Sequence, residues 1–383
     1  MKSRKLTCVV ALILFAAVPT VLASTTWYVN GVSGSNLNNC LSTTTACKTI
    51  GHAISLAHSG DTINVAAATY YENLTIGVSM NLIGTAAATI IDGQCLNTVV
   101  TIPTMSASVL LSNLTIRHGC APNAGLVSYA GGISNHGTLR ILASTILQNT
   151  ASIGYVGQGV VSAGGIANSG TLTISNSTLT GNMAKISCRT RCAARGGGIS
   201  SGGTLIINNS TISGNVAYLG SCSVDCIAYG GGIYSGGTLI INNSTLSGNT
   251  ANRSFGGGAG GGIYNDAGTV TVKNSIVANS VNGNCYGTVT SKGYNLSSDT
   301  TCNFNGPGDM NNINPMLGPL QNNGGPTQTM ALPSGSPAID AGNPSGCTDG
   351  QGHLLKTDQR GFPRHDPEDT RGCDMGAYER QGD

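Results

Sequence analysis

The stretch GGIYSGGTLIINNSTLSGNTA, residues 231–251, nearly repeats GGISSGGTLIINNSTISGNVA at residues 197–217. Related stretches begin at Gly131, Gly164 and Gly261, so successive copies are spaced by 33, 33, 34 and 30 residues. A period of this length is typical of solenoid proteins, in which each repeat stacks on its neighbours. The five copies therefore predict an array of regular coils over about residues 131–280.

Short alternating apolar pieces fill each copy. In the first copy, Leu139 and Ile141 flank Arg140, and glycine or asparagine residues separate the pieces. The two-residue alternation is that of a β-strand, and the pieces are too short for helices. We predict three short strands per copy, each paired in parallel with its equivalent in the next coil about 4.8 Å away. The predicted fold class is all-β, a right-handed parallel β-helix.

An asparagine lies eighteen residues after the first glycine of every copy. Amides stacked from coil to coil can hydrogen-bond along the solenoid axis and satisfy buried turn groups. The spacing therefore predicts a structural ladder that has no role in activity. Its predicted members are Asn149, Asn182, Asn215, Asn249 and Asn279.

The regular copies occupy part of the predicted β-helix, which we place at residues 24–335. Ile50, Ile54 and Ala57 have helical spacing within residues 46–61, so we predict an N-terminal helix that covers the open end of the solenoid. Residues 336–383 combine many acidic residues with arginines. They predict a loop-rich, salt-bridged C-terminal cap over the last coil.

The N-terminal sequence is typical of a secretory signal peptide. Three basic residues precede an apolar run that ends in Val21, Leu22 and Ala23, which predicts a signal peptide over residues 1–23 with cleavage after Ala23. No later segment is apolar enough to predict a membrane span. We expect a secreted protein, extracellular or periplasmic, that can remain associated with the cell surface.

Charge and composition argue against several kinds of partner. The 383 residues carry a formal net charge of +2, and only 9% of them are charged. That balance provides no basic surface for nucleic acid. The glycine-rich strings accompany no βαβ unit, so they do not indicate a nucleotide site. We predict no nucleic-acid partner and no cofactor.

Of the 13 cysteines, all but Cys8 follow the predicted signal peptide. An even number in an exported chain predicts disulfide bonds. Proximity along the chain predicts four couples: Cys40 with Cys47, Cys95 with Cys120, Cys285 with Cys302, and Cys347 with Cys373. The motifs CRTRC and CSVDC hold the remaining four, on loops at the same edge of adjacent coils: Cys188, Cys192, Cys222 and Cys226. Disulfides within or between these loops are favoured over a four-thiolate zinc site, so we predict no metal.

Three stretches near the C-terminus carry a family resemblance. They are NCYGTVTSKGYNLSSDTTC at 284–302, SPAIDAG at 336–342 and CDMGAYE at 373–379. Together with the repeated coils they resemble the bacterial choice-of-anchor Q family of exported β-helix proteins. The resemblance implies a right-handed β-helix, export and often surface display, with no established reaction. Members commonly carry an anchor after the GAYE string, so the chain end at Asp383 implies a free secreted or periplasmic form.

Two classes of function fit these features. The first is a non-catalytic exported surface or matrix protein, whose polar β-helix face binds polysaccharide or other cell-surface glycan. The second is a polysaccharide-degrading enzyme, a lyase or a glycoside hydrolase of pectate-lyase-like fold, which is suggested by fold analogy alone.

The small number of carboxylates in the regular coils favours the non-catalytic class of function. Glycoside hydrolysis normally uses two carboxylates, and calcium-assisted lyase chemistry needs several. Between Gly93 and Asn265 the only acidic residue is Asp225, so we predict no catalytic residue. An enzyme would have to draw its site from the irregular upstream coils: Asp61, Glu72, Asp92, Arg117 and His118.

Two of these features have alternative interpretations. The position of His118 matches that of a ladder asparagine in a later coil, which favours a turn hydrogen bond over catalysis. Asp366, Glu368 and Asp369 could form a calcium site, but they lack the pattern of a dedicated calcium loop. A salt-bridged cap is the favoured interpretation of these acidic residues.

Overall fold

The computed structural model describes residues 23–85, 88–121, 125–253, 257–349, 351–364 and 372–382. The predicted signal peptide, apart from Ala23, lies outside these ranges, and so do Asp366, Glu368 and Asp369. Within them, the chain forms short strands and one helix, and strands of successive coils pair in parallel. This all-β solenoid confirms the predicted parallel β-helix.

Three sheets run along the solenoid and surround its main core. Sheet 1 consists of Thr26–Val29, Asp61–Val65, Met80–Gly84, Ser108–Ser112, Thr138–Leu142, Thr171–Ser175, Thr204–Asn208, Thr238–Asn242, Thr269–Lys273 and Thr290–Ser291. Sheet 2 consists of Ala68–Tyr70, Thr89–Asp92, Thr115–Arg117, Thr145–Leu147, Thr178–Thr180, Thr211–Ser213, Thr245–Ser247, Ile276–Ala278, Leu296–Ser297 and Met310–Asn311. Sheet 3 consists of Leu74–Thr75, Val100–Ile102, Ile133–Asn135, Ile166–Asn168, Ile199–Ser201, Ile233–Ser235, Ile263–Asn265 and Cys285–Tyr286.

Equivalent residues of successive coils are register partners, which explains the repeated sequence. Leu139 pairs with Leu172, and Leu172 with Leu205. All three side chains are fully buried. Burial of one such side chain contributes about 1.5–3 kcal/mol. Because each coil buries equivalent apolar side chains, every coil stabilises its neighbours through contacts between similar residues.

The regular coils contain five strands each, two more than predicted. The chain between a ladder asparagine and the next glycine pair leaves the main body and returns as two further strands. Sheet 4 consists of Cys120–Ala121, Thr150–Val156, Met183–Cys188, Val216–Leu219 and Thr250–Arg253. Sheet 5 consists of Val127–Ala130, Gly159–Ala163, Cys192–Arg195, Ile227–Tyr229 and Gly258–Ala259. We call the lobe formed by sheets 4 and 5 the fin.

The fin has its own apolar core, separate from the main one. Alanines form much of it, including Ala151, Ala184 and Ala217, which are fully buried. Alanine has a low strand propensity, so the sequence of these segments did not predict strands.

The glycine pairs form the neck of the fin. A Cβ added to Gly164 would collide with the backbone of Met183, where a fin strand leaves the body. Gly197 has the same relation to Val216 one coil later. Only glycine lets the outgoing and returning backbones approach this closely, which accounts for the first residue of these copies. The second glycine packs on the ladder, since a Cβ on Gly165 would lie 2.5 Å from Gly198 O and 3.1 Å from the Asn182 side chain.

The string NST forms the corner between sheets 1 and 2. Its asparagine adopts a left-handed conformation, with φ of 52° at Asn176 and 45° at Asn209. Its serine is buried and accepts a hydrogen bond from the serine before it in the ladder, as in Ser144 N to Ser177 Oγ at 3.1 Å. The corner is therefore a second ladder, which the sequence analysis missed.

The helix and the C-terminal segment complete the fold. The helix Ile50–Leu56 buries Ile50 and Ala53 and contacts the first strands of sheet 1. The C-terminal segment contains one antiparallel pair, Leu320–Gln321 with Thr329–Met330.

The predicted position of the C-terminal cap, over the last coil, differs from the observed one. Residues of this cap lie along the flank of several coils, on the NST corner: Asn209 Nδ2 donates to Thr357 O at 2.8 Å, and Asp374 O accepts from Asn274 Nδ2 at 3.0 Å. The buried amides and carbonyls of the corner provide the partners that hold it there.

Candidate functional site

Six disulfide bonds join the cysteines of the described residues. Four of them are the couples expected from proximity: Cys40–Cys47, Cys95–Cys120, Cys285–Cys302 and Cys347–Cys373. The other two close within their motifs: Cys188–Cys192 and Cys222–Cys226. These last four lie at the tip of the fin, where Cys188 Sγ is 3.9 Å from both Cys222 Sγ and Cys226 Sγ. The structure thus selects pairing within each motif from the alternatives that the sequence left open.

The asparagine ladder runs through four coils. The side-chain amide of Asn149 donates to Asn182 Oδ1 at 3.0 Å, that of Asn182 to Asn215 at 2.9 Å, and that of Asn215 to Asn249 at 3.0 Å. All four residues are fully buried. The ladder lies at the neck of the fin and holds the coils together there.

Asn279 is not part of this ladder, and His118 does not occupy a ladder position. The last copy has one extra residue, because Asn265 to Thr269 spans the same register as Ser235 to Thr238. An equal count of eighteen residues therefore places Asn279 at the exposed left-handed corner, with φ of 56°, one residue before the ladder.

His118 occupies the same corner in an earlier coil, with φ of 53°. Its neighbour Arg117 is the register partner of Leu147, so His118 aligns with Gln148. The backbone N–H of Gly119, the next residue, donates to the ladder residue Asn149 at 2.9 Å.

Glu72 and Asp61, two of the five residues considered for a catalytic site, each have a structural role, and these roles are separate. The Glu72 carboxylate accepts from Ile50 N at 2.8 Å and Gly51 N at 2.7 Å, so it caps the N-terminal helix. Asp61 is buried and accepts from Thr25 N at 2.7 Å and from the Trp27 indole at 2.9 Å. Burial opposes its ionisation, but hydrogen bonds, first that from His58 N, hold the pKa of Asp61 below its ordinary value.

The other three candidates converge. Asp92 Oδ2 lies 2.8 Å from Arg117 Nε and 2.9 Å from His118 Nδ1, and Asp92 Oδ1 accepts from Gln94 N at 3.0 Å. Burial opposes ionisation of Asp92, but these three donors hold its pKa below the ordinary value. Asp92 is 5% exposed, so its carboxylate orients Arg117 and His118 and does not itself face solvent.

A groove that the sequence analysis did not predict runs along the coils between the fin and sheet 3. Its fin wall is one row of register partners, Tyr129, Ser162, Arg195 and Tyr229. Its opposite wall is a row on sheet 3, Ser134, Ala167, Ser200, Tyr234, Tyr264 and Tyr286. We call the space between these rows the groove.

The first half of the groove is an open cavity of about 160 Å³. Small side chains line it on both walls, among them Ser134, Ser162 and Ser200. Tyr129 and His136 border it and are exposed. This half offers hydroxyl, amide and imidazole groups at the positions where later coils carry larger side chains.

Tyrosine rings fill the second half. The rings of Tyr234 and Tyr264 stack 5.7 Å apart, and those of Tyr264 and Tyr286 stack 4.8 Å apart. Tyr229 reaches across from the fin, 4.5 Å from Tyr264. Tyr286 is 53% exposed and ends the stack with an accessible ring. We call these four residues the tyrosine cluster.

Arg195 lies where the two halves meet. Its guanidinium is 4.9 Å from the centre of the Tyr234 ring. Its Nε is buried and has no hydrogen-bond partner among the described residues. The nearby Asp266 accepts a hydrogen bond from the Tyr234 hydroxyl at 2.7 Å, and no ion pair between Asp266 and Arg195 forms within 4 Å. The site therefore contains a positive charge with unused donors beside aromatic rings.

The repeats contained a signal for this site. The residue after the GGI string is Ser134, Ala167 and Ser200 in the first three copies but Tyr234 and Tyr264 in the last two. Since that position stacks in register and points outward, the change marks an aromatic patch on one face. Arg195 and Tyr229 belong to segments for which no strands were predicted, so their place opposite this row could not be inferred.

Metal binding by the described residues would involve cysteine. Groups of three neighbouring ligand-type side chains occur at Cys40, Cys47 and His52, and at Cys188, Cys222 and Cys226. In both groups the cysteines are paired in disulfides. Their sulfurs are therefore not thiolates in this structure, as zinc binding would require.

The fold and the groove define a parallel β-helix protein whose coils extend into a lateral fin. No protein-family model matches the chain, and no curated protein matches it. Among solved structures it is similar to the crystal structure of pectate lyase Pel9A, with a TM-score of 0.35 and 13% sequence identity over 94% of this chain and 98% of that one. Similarity at this level carries no argument about activity. Within the described residues, no helix is long and apolar enough to cross a membrane.

Proposed function

We propose that this protein is non-catalytic and binds polysaccharide or cell-surface glycan along the groove. The observation that carries the proposal is the composition of the groove, with small polar side chains in one half and tyrosine rings in the other. Sugars have apolar C–H faces that stack on aromatic rings and hydroxyls that exchange hydrogen bonds with serine and histidine. Tyr129 and Tyr286 offer exposed rings for stacking, at 58% and 53% exposure, while Tyr234 and Tyr264 are buried, at 7% and 9%.

Repetition along the axis supports a polymeric ligand. Each coil adds one residue to each wall, and the coils are about 4.8 Å apart. An extended chain in the groove would meet these residues in series. Individually weak contacts then add, because each bound sugar raises the effective concentration of the next.

The alternative function is polysaccharide cleavage, and the convergence of Asp92, Arg117 and His118 supports it. An aspartate can orient a histidine as a general base. Glycoside hydrolysis requires a second carboxylate, however, and the one present here is engaged by three donors. Arg117 and His118 also project from sheet 2 and its corner, whereas the groove lies on sheet 3. We therefore assign this cluster a structural role.

The groove proposal predicts that exposed rings contribute to binding. Tyr129→Ala and Tyr286→Ala should each weaken binding of the glycans found on an array by about 2- to 10-fold, since one aromatic contact is worth about 0.5–1.5 kcal/mol. Tyr71→Ala is the matched control, because Tyr71 is similarly exposed, at 62%, but follows a strand of sheet 2. Equal losses in all three variants would contradict binding in the groove.

A cleavage screen on the same preparations separates the two functions. We expect no release of reducing or unsaturated ends from the polysaccharides that bind. If such release occurred and Asp92→Asn abolished it, the protein would be an enzyme.

We also propose that the chain is exported and belongs to the choice-of-anchor Q family. The signal sequence and the disulfides support export. The two most specific strings of the resemblance pack on each other: Met375 N donates to Ala338 O at 2.9 Å, and Asp340 N to Asp374 Oδ1 at 2.8 Å. Their joint occurrence thus reflects one structural unit.

Export predicts a defined covalent state. Protein recovered from the medium or periplasm should begin at Ser24, and non-reducing peptide mapping should show six disulfides, with Cys188–Cys192 and Cys222–Cys226 closed within their motifs. Cytoplasmic protein with residues 1–23 still attached serves as the reduced comparison. Free thiols at these four positions in the exported protein would contradict the prediction.

A further inference from the structure

We propose that the groove selects acidic polysaccharide and that Arg195 binds a carboxylate or sulfate group of the polymer. This inference rests on the proposed glycan-binding function and specifies its ligand class. Arg195 provides the charge, the exposed ring of Tyr286 at the end of the tyrosine cluster provides a stacking surface, and the open half provides room for the neighbouring sugars.

The outer guanidinium donors of Arg195 are open to a ligand. A guanidinium carries five N–H donors in a planar fork that matches the two oxygens of a carboxylate. The Arg195 guanidinium lies 4.9 Å from the centre of the Tyr234 ring. Its Nε is buried and has no partner among the described residues. The outer Nη groups are therefore the donors that a carboxylate in the groove would meet.

The nearby Asp266 does not pair with Arg195. Asp266 Oδ2 accepts the Tyr234 hydroxyl at 2.7 Å, and the ion pairs of the described residues do not include Asp266 with Arg195. Burial raises the pKa of Tyr264 to about 12 and also raises that of Tyr234. Both phenols therefore stay neutral at physiological pH and do not repel an anion.

The repeated coils carry an excess of basic residues. Asp225 is the only acidic residue between Gly93 and Asn265, and Asp266, which accepts from the Tyr234 hydroxyl, follows directly. The same span contains a larger set of basic residues: Arg117, Arg140, Lys185, Arg189, Arg191, Arg195 and Arg253. An excess of one sign raises the local concentration of oppositely charged ligands. The overall charge of +2 conceals this excess, because most acidic residues lie outside the repeated coils.

The test compares polymers that share a backbone and differ in whether their carboxyl groups are ionised or methylated. Polygalacturonate and its methyl ester share a backbone, so wild-type protein should bind the acid form at least tenfold more tightly in low salt. Arg195→Gln should reduce binding of the acid form by about tenfold and change binding of the ester by less than twofold. Arg195→Lys keeps the charge without the fork and should retain part of the affinity. A sulfated dextran series shows whether sulfate can replace carboxylate.

Arg140→Gln is the matched control. It removes the same charge from an exposed residue of sheet 1, outside the groove, and should change binding of the acid polymer by less than twofold. An equal loss in Arg140→Gln and Arg195→Gln would mean general charge attraction and would overturn the proposal. Thermal melting of each variant verifies the fold, and Arg195→Lys serves as the test variant if Arg195→Gln fails to fold.

The two proposals fail in different ways. Equal affinity for the acid and the ester, with both reduced by Tyr286→Ala, would refute the acidic preference and leave glycan binding in place. Absence of binding to every polymer and to the glycan array would refute both.

Discussion

Replacing Arg364 by leucine is expected to lower the free energy of unfolding by about 3–5 kcal/mol and to detach the C-terminal segment from the coils. Arg364 is 3% exposed. Its Nη1 donates to Glu379 Oε2 at 2.9 Å, and its Nη2 donates to Asn209 Oδ1 at 2.8 Å. Arg364 therefore links two parts of the C-terminal segment to each other, and it links that segment to the NST corner.

The expected loss of stability arises because the buried carboxylate of Glu379 would remain without its cationic partner. Glu379 is 1% exposed, and the leucine variant would remove the guanidinium that neutralises its carboxylate. Removal of one member of a buried ion pair is costly because the remaining charge stays desolvated. The double variant Arg364→Leu with Glu379→Leu should consequently lose less stability than the sum of the single changes.

Thermal unfolding and hydrogen exchange measure both effects. Protection should be lost first from amides of the described cap residues, 336–349, 351–364 and 372–382, while the stacked coils stay protected. Arg140→Leu is the control, since Arg140 is exposed. Unchanged exchange in Arg364→Leu would show that the segment does not depend on this contact.

Replacing Asn215 by alanine is expected to cost about 3 kcal/mol or more. Its Oδ1 accepts from the side-chain amide of Asn182 at 2.9 Å and from Asn182 N at 3.1 Å. Its Nδ2 donates to Leu179 O at 3.0 Å and to Asn249 Oδ1 at 3.0 Å. The change would leave several buried groups without partners, each costing about 1–3 kcal/mol.

Asn279→Ala provides the comparison for the ladder. Asn279 is exposed and outside the ladder, so only the left-handed backbone conformation, worth about 1–2 kcal/mol, opposes alanine there. Glycan binding per folded molecule should be unchanged in both variants. Denaturant unfolding curves that coincide for Asn215→Ala and the wild type would show that the ladder does not stabilise the fold.

The parallel β-helix could be predicted because its information is local and repeated. A fixed period, alternating leucine and isoleucine, and glycine and asparagine at constant offsets all report the same geometry. The prediction failed where that information is weak. In the fin strands built around Ala151, Ala184 and Ala217, the small alanines make the alternation of apolar and polar residues weak. In the last copy, a constant residue count could not reveal the extra residue between Asn265 and Thr269.

The candidate site was harder to predict because it depends on register between segments distant in the chain. Arg195 lies in a fin strand, whereas Tyr234 follows a glycine pair in the next coil. Only the neck of the fin brings their two rows face to face. The Asp92 cluster, by contrast, could be proposed from residue types, and the structure then showed a carboxylate surrounded by its own donors.

In-register stacking also has an evolutionary consequence. Each coil bonds to neighbours nearly identical to itself, as the pairs Leu172–Leu205 and Leu205–Leu239 illustrate. A tandem duplication of one period would insert a coil without requiring new packing, and would lengthen the groove by about 4.8 Å. Unequal recombination between such similar gene segments could therefore change the length of polymer that the protein accommodates in whole-coil steps, while the residue after each GGI string determines whether a new step is polar or aromatic.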